Sequence, residues 1–309
     1  MNRLPRITPW VLFALAATFC VAVYREHLIP TISTVSAAVA QNQAPPDQGQ
    51  DPAAANLAPS GPSYTTEAPP PPDQSAAPGQ AAEQPTETAT QPPPPLPNYN
   101  QPPPPADGYI WTPGYWAWGP TGYYWVPGAW VEPPYMGALW TPGYWGFYGG
   151  RYLFYPGHWG LHIGFYGGID YGFGYVGLGY EGGYWNSGHF FYNRVYNHLD
   201  TRVVHNVYSY NAGNRARSVP RTSFNGGSRG VQVRQRPSEA AAAREPTAPR
   251  MSSQVQHAQS YSTARGQLAA QNHGRPATPA VSRPLPADRN VKPTTHNESH
   301  GGQPKENNR

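Results

Sequence analysis

Between Tyr109 and Trp159 one phrase recurs four times: Tyr109-x-Trp111-x-Pro113-Gly114-x-Trp116, Tyr123-x-Trp125-x-Pro127-Gly128-x-Trp130, Ala138-x-Trp140-x-Pro142-Gly143-x-Trp145 and Tyr152-x-Phe154-x-Pro156-Gly157-x-Trp159. Successive units start 14, 15 and 14 residues apart. Such a period is far too short for a helical repeat and suits one strand plus one turn. Proline inside a strand normally signals an edge or a bulge. The connecting segments "GPTG", "PPYMG" and "FYGGR" hold the turn residues.

Two geometries compete for Pro-Gly. As a hairpin tip it forms a type II turn, which splays the strands of a two-residue hairpin. As a bulge it adds one residue to a strand, and the choice decides where the tryptophans point. In a regular strand, residues five apart face opposite sides. One extra residue brings Trp111 and Trp116 onto the same face, with glycine supplying the unusual backbone angles. Each unit then reads as a bent strand with a continuous aromatic stripe.

The expected fold is one small all-β domain, Gly108 to Asp200, in a mostly disordered chain. It is an antiparallel meander of four aromatic-rich strands with Pro-Gly bulges, followed by Gly/aromatic strands. In the latter, from Gly160 to Trp185, glycine alternates with large side chains, and the bare face is expected to receive the repeat aromatics. A domain of about 90 residues hides only roughly 60 to 65% of its unfolded surface, so part of the stripe is expected to stay exposed. Trp111, Trp116, Trp125, Trp130, Trp140, Trp145 and Trp159 are therefore the ligand-contact candidates.

The flanks differ in composition. Residues 1–40 read as a signal peptide or an N-terminal membrane anchor. Arg3 and Arg6 precede an uncharged, mostly apolar run from Ile7 to Tyr24, expected to be a hydrophobic helix. Cleavage near Ala38-Val39-Ala40 and retention both fit, and retention sends the rest of the chain across the membrane. Phe19 before the single cysteine, Cys20, rules out a lipid anchor. Residues 41–107 read as a linker, with uninterrupted prolines at Pro69–Pro72, Pro92–Pro95 and Pro102–Pro105, and polyproline II makes it a semi-rigid spacer. Residues 201–309 carry a charge of +11 against −7 for residues 1–200, and read as a basic, largely disordered tail suited to an anionic surface. Within it "SEAAAAREP" and Met251 to Asn272 allow short helices, and Asn193 to Asn211 one further strand.

Little in the chain supports catalysis. Gly172 to Gly177 and Gly177 to Gly182 fit G-x-G-x-x-G, but no helix-forming stretch follows either. His158, His162 and His189 lack carboxylate or thiolate partners at ligand spacing. Glu132, Asp170, Glu181 and Asp200 are scattered singly, and no Gly-x-Ser-x-Gly elbow occurs. The expectation is no enzyme, no metal and no cofactor. The alternatives are a glycan-modifying enzyme using Asp170 or Glu181, and a self-assembling structural coat.

The four units, the segment Gly164 to Asn193 and "RTSFNGGSRG" (Arg221 to Gly230) resemble the bacterial exported proteins known for YXWGXW (WXXGXW) repeats. The third unit departs from the motif at Ala138 and the fourth at Phe154. The resemblance implies an exported protein of the bacterial envelope, at the periplasm or cell surface, and implies no activity or cofactor. The residues themselves suggest aromatic recognition. Envelope polysaccharide or copies of the same chain are the expected partners, with no specific nucleic acid.

Overall fold

Each pair of units closes into its own hairpin. The structure, a computed structural model, describes residues 51–60, 84–213, 221–288 and 291–294 of the 309. The apolar run Ile7–Tyr24, and with it the expected N-terminal helix, lies outside the described residues. No helix among the described residues is long and apolar enough to cross a membrane.

After a short strand β1 (Glu87–Ala89), the repeats form β2 (Ile110–Thr112), β3 (Tyr115–Gly119), β4 (Gly122–Val126), β5 (Ala129–Val131), β6 (Leu139–Thr141), β7 (Tyr144–Tyr148), β8 (Arg151–Tyr155) and β9 (His158–Gly160). The first hairpin pairs β3 with β4 near its tip and β2 with β5 at its base. The second pairs β7 with β8 and β6 with β9, 29 positions further on. No ladder joins β5 to β6, so the expected four-stranded meander is instead two separate hairpins. The tips explain the fold-back. Gly149 and Gly150 both have positive φ, +56° and +77°, as a two-residue type I′ turn requires.

The Pro-Gly pairs are not bulges. Thr112 faces Ala129 before the interruption and Tyr115 faces Val126 after it, so two residues on one arm lie opposite two on the other. The second hairpin repeats this between the Thr141–His158 and Tyr144–Tyr155 pairs. Register is kept because each break faces another break.

Glycine is needed there for space, since none of Gly114, Gly128, Gly143 and Gly157 is among the glycines with positive φ. A methyl group on Gly128 would lie 2.6 Å from Cζ2 of Trp111 and 3.0 Å from the Gly114 nitrogen. Trp125, Trp140 and Phe154 crowd Gly114, Gly157 and Gly143 in the same way. Each ring lies over the glycine of the opposite arm.

Four cross-strand ring pairs result. Trp111–Trp130, Trp116–Trp125, Trp140–Trp159 and Trp145–Phe154 are direct register partners with centroids 5.2 to 5.3 Å apart. Beyond simple burial, each such contact contributes about 0.5–1.5 kcal/mol.

The segment after β9 is mostly turns. It contains β10 (Asp170–Gly172) and β11 (Tyr175–Val176), and Gly167, Gly168, Gly172, Gly174, Gly177 and Gly179 all have positive φ. The expected bare glycine face is absent, because these glycines reverse the chain so that tyrosines insert between the hairpins. The Tyr175 hydroxyl lies 2.9 Å from the Trp140 carbonyl and 3.3 Å from that of Trp111, and Tyr171 donates to the Gly143 carbonyl at 2.6 Å. Next come β12 (Gly183–Asn186) and β13 (His189–Asn193), with β14 (Val207–Tyr208) alongside in parallel. The further strand expected within Asn193–Asn211 is present as β14.

Both flanks add to this body. β1 pairs with β8, and β15 (Phe224–Asn225) pairs in parallel with β7. The tail supplies α1 (Pro237–Ala242), α2 (Ser252–Tyr261) and α3 (Ala269–Asn272), where short helices were expected. Ala248 bridges to Trp159, Leu268 to Tyr124, and Ala280 and Leu285 to Gly128 and Val131. The spacer and disordered-tail readings therefore fail for residues 84–107 and 221–288. Neither segment has enough apolar surface to fold alone, but both cover strand edges that would otherwise be left open to further pairing.

Candidate functional site: proline segments on tryptophan rows

The residues singled out as ligand contacts are core residues. Trp111, Trp116, Trp125, Trp130, Trp140, Trp145 and Trp159 are between 0% and 5% exposed. This corrects the expected exposed stripe, and the reason is one of size. About 90 residues are too few to hide these rings by themselves, and the flanks cover what the hairpins cannot.

On the first hairpin that cover is proline-rich. The Trp116 indole N–H donates to the Pro95 carbonyl (3.2 Å), that of Trp130 to Pro102 (2.7 Å) and that of Trp125 to Pro279 (2.9 Å). Further donors continue the row along the N-terminal segment. Tyr123 donates to Gln91 (2.7 Å), Ser223 to Pro94 (2.6 Å), and Arg221 to Leu96 (2.9 Å) and Pro97 (2.7 Å). A proline run offers carbonyls and no N–H, so a surface that holds it must supply donors and flat apolar faces. Indole supplies both from one side chain.

The second hairpin spends its donors differently. Trp145 donates to the Trp116 carbonyl (2.7 Å), joining the hairpins, and Trp159 donates to the Gln254 side chain in α2 (2.9 Å). Where the breaks of the two hairpins meet α2, a cleft is lined by Pro113, Pro127, Pro142, Arg250, Gln254 and His257, among others. The room inside is about 30 Å³, enough for a water or two. Arg250 donates to the Tyr115 hydroxyl (3.2 Å). His257 Nε2 lies 2.9 Å from the Pro127 carbonyl, which can only accept, so that nitrogen carries the proton. Burial pushes the His257 pKa below the usual histidine range, against the opposing effect of that bond.

Glu87, on β1, accepts from the Trp118 backbone N–H at 2.7 Å. Burial raises its pKa, partly opposed by that bond and by Arg250. The folded protein therefore holds the Glu87 proton more tightly than the unfolded chain does. This contribution to stability is full below the ordinary glutamate value and is lost as pH rises through the folded value. Replacement by Gln keeps an acceptor for Trp118. Glu87→Gln is expected to flatten the loss of stability above pH 4 and to raise the urea midpoint at pH 7, as followed by tryptophan fluorescence. A lower midpoint at pH 7 would show that the ionised carboxylate stabilises.

The remaining chemical candidates do not assemble. Asp170 lies on β10 and hydrogen-bonds the Gly172 N–H (2.9 Å), while Glu181 is buried at 3% exposure. His162 pairs with Glu245 (2.8 Å). Among the described residues no three His, Cys, Asp or Glu side chains form a group able to hold a metal ion. The proline runs were visible in the sequence as a spacer, but their seat on the tryptophans was not, because a run that lacks donors carries no mark of the donors that hold it.

The arrangement is that of an aromatic-cored β-hairpin pair, held between extended proline-rich segments. Residues 107–131, which contain the whole first hairpin, match the family model of the WXXGXW repeat in two copies, and the chain carries that repeat. Neither a curated protein nor a solved structure matches the chain.

Proposed function

We propose that this is a non-enzymatic, exported protein of the bacterial envelope whose WXXGXW hairpins form a scaffold that binds extended proline-rich chain. One observation carries the binding reading: three of the five indole N–H groups of the first hairpin donate to prolyl carbonyls from two segments far apart in sequence. Recognition of polyproline by aromatic surfaces uses the same donors and faces. Export rests on Arg3, Arg6 and the apolar run after them, and on the family resemblance. A glycan platform is less favoured, since the seven tryptophans that would form it are buried. Arginines of the tail, such as the exposed Arg229 and Arg244, remain suited to an anionic surface.

The test uses the full chain with Gln91–Pro105 replaced by Gly-Ser residues of equal number. Added in trans, a synthetic peptide of the native Gln91–Pro105 sequence is expected to bind saturably and to restore the near-UV circular dichroism and thermal midpoint of the native protein. A Gly-Ser peptide is expected to do neither. No binding and no recovery with millimolar native peptide would sink the reading.

A further inference from the structure

We propose that the proline arm, Glu87 to Ala106, is exchangeable, and that the trans partner of the tryptophan rows is the same arm of a second copy of this chain. The proposal rests on the proline-binding reading above and names the occupant.

Three features carry it. The first is a hinge at the arm's C-terminal end; at the other end residues 51–60 also sit on the body, where the Asn56 amide donates to the Tyr180 and Gly183 carbonyls, so they travel with the arm. The arm joins the first hairpin through Asp107 and Gly108, where Gly108 has a φ of +85°, and the ladder starts only at Ile110. Straightening this turn releases the arm and leaves the hairpin whole. At the hinge, Asp107 meets the exposed His205, through its backbone N–H (2.9 Å) and ring Nδ1 (2.7 Å), and both contacts lie at the surface.

The second feature is where the arm's partners come from. Leu153 opposes Thr88, and Trp116, Tyr123, Trp130, Arg221 and Ser223 hold the arm's carbonyls. All of them lie after the hinge in the sequence. Among the described residues no hydrogen bond joins one part of the arm to another. A second copy's arm thus remakes every contact with the same geometry, and this identity of contacts makes exchange between copies inexpensive.

Third, the seat does not stay empty. Without the arm, the edge of β8 from Tyr152 to Phe154 is open, and the donors of Trp116 and Trp130 lose the Pro95 and Pro102 carbonyls that accept from them. An open edge of this kind recruits a strand. In dilute solution the chain's own arm wins, because a short tether gives it an effective concentration of about millimolar. Exchange therefore belongs to concentrated or surface-confined chains.

Thr88 and Leu153 are direct register partners, so they serve as a trap. Two full-length variants are made, Thr88→Cys and Leu153→Cys, each with Cys20→Ser. Mixed at millimolar concentration and oxidised, they are expected to give a disulfide-linked heterodimer whose fraction falls on dilution. The variant carrying both cysteines in one chain is expected to close within itself. If the double variant closes and the mixture stays monomeric, arm exchange is overturned, while the peptide result stands or falls separately. Should the double variant fail to close, Gly108→Pro decides, because proline forbids the positive φ of the closed turn. A folded dimer by light scattering supports exchange. A folded monomer with its arm still protected from protease refutes it.

Discussion

Gly128→Ala is expected to be among the most damaging single-methyl changes in the protein. The added carbon would meet the Trp111 ring at 2.6 Å and the Gly114 nitrogen at 3.0 Å, so a core indole and the facing strand must both move. Overpacking of this kind costs about 1–3 kcal/mol and occasionally more. The expected readout is a lower urea midpoint with loss of the tryptophan near-UV signal. Gly149→Ala, at a hairpin tip with open space around it, incurs only the strain of its positive φ. Equal loss in the two variants would mean that the crowding at Gly128 is relieved at little cost and that lack of space does not explain the Pro-Gly glycines.

Trp130→Ala is expected to have the largest effect. Its ring is 1% exposed, packs against Trp111 at 5.3 Å and Tyr192 at 6.0 Å, and its indole N–H holds Pro102. Truncating a buried tryptophan costs about 3–5 kcal/mol, a large part of a typical domain's stability. Trp130→Phe keeps most of the ring and removes the donor, leaving the Pro102 carbonyl without its bond, which costs about 1–3 kcal/mol. Thermal unfolding should rank native above Phe above Ala. Had Trp130 been an exposed ligand contact, both variants would melt with the native protein, which makes the comparison a direct test of its place in the core.

The strands and turns were legible because they depend on local chemistry. A period of 14 to 15 residues, proline within each unit and turn residues between units fix where the chain extends and where it reverses. Pairing was harder, since four similar units fit a meander as well as two hairpins. The connectors held a signal that went unused. Two-residue tips at Pro120-Thr121 and Gly149-Gly150 flank a longer passage from Glu132 to Ala138, and tight reversals alternating with a long one mark hairpins taken two at a time.

The role of the Pro-Gly glycine was misread for a physical reason. Sequence shows that a side chain is missing but not whether angle or space excludes it. Only the facing strand, with Trp111 over Gly128, settles that in favour of space. The arms read as a spacer and a tail for a related reason. A segment such as Gln91–Pro105 has too little apolar surface to fold by itself, and composition describes each segment as though it were alone. Its order comes from donors such as Trp116, Trp130 and Arg221, many residues away.

Because each Pro-Gly break is accommodated only by another across from it, the smallest unit that evolution can copy or delete here is a pair of repeats. Loss of one unit would set a break against ordinary strand, where the facing residue has a Cβ and no glycine receives the ring. Internal duplication in such chains should therefore preserve parity, with repeat numbers growing by two. The two-copy match over residues 107–131 corresponds to one such complete pair.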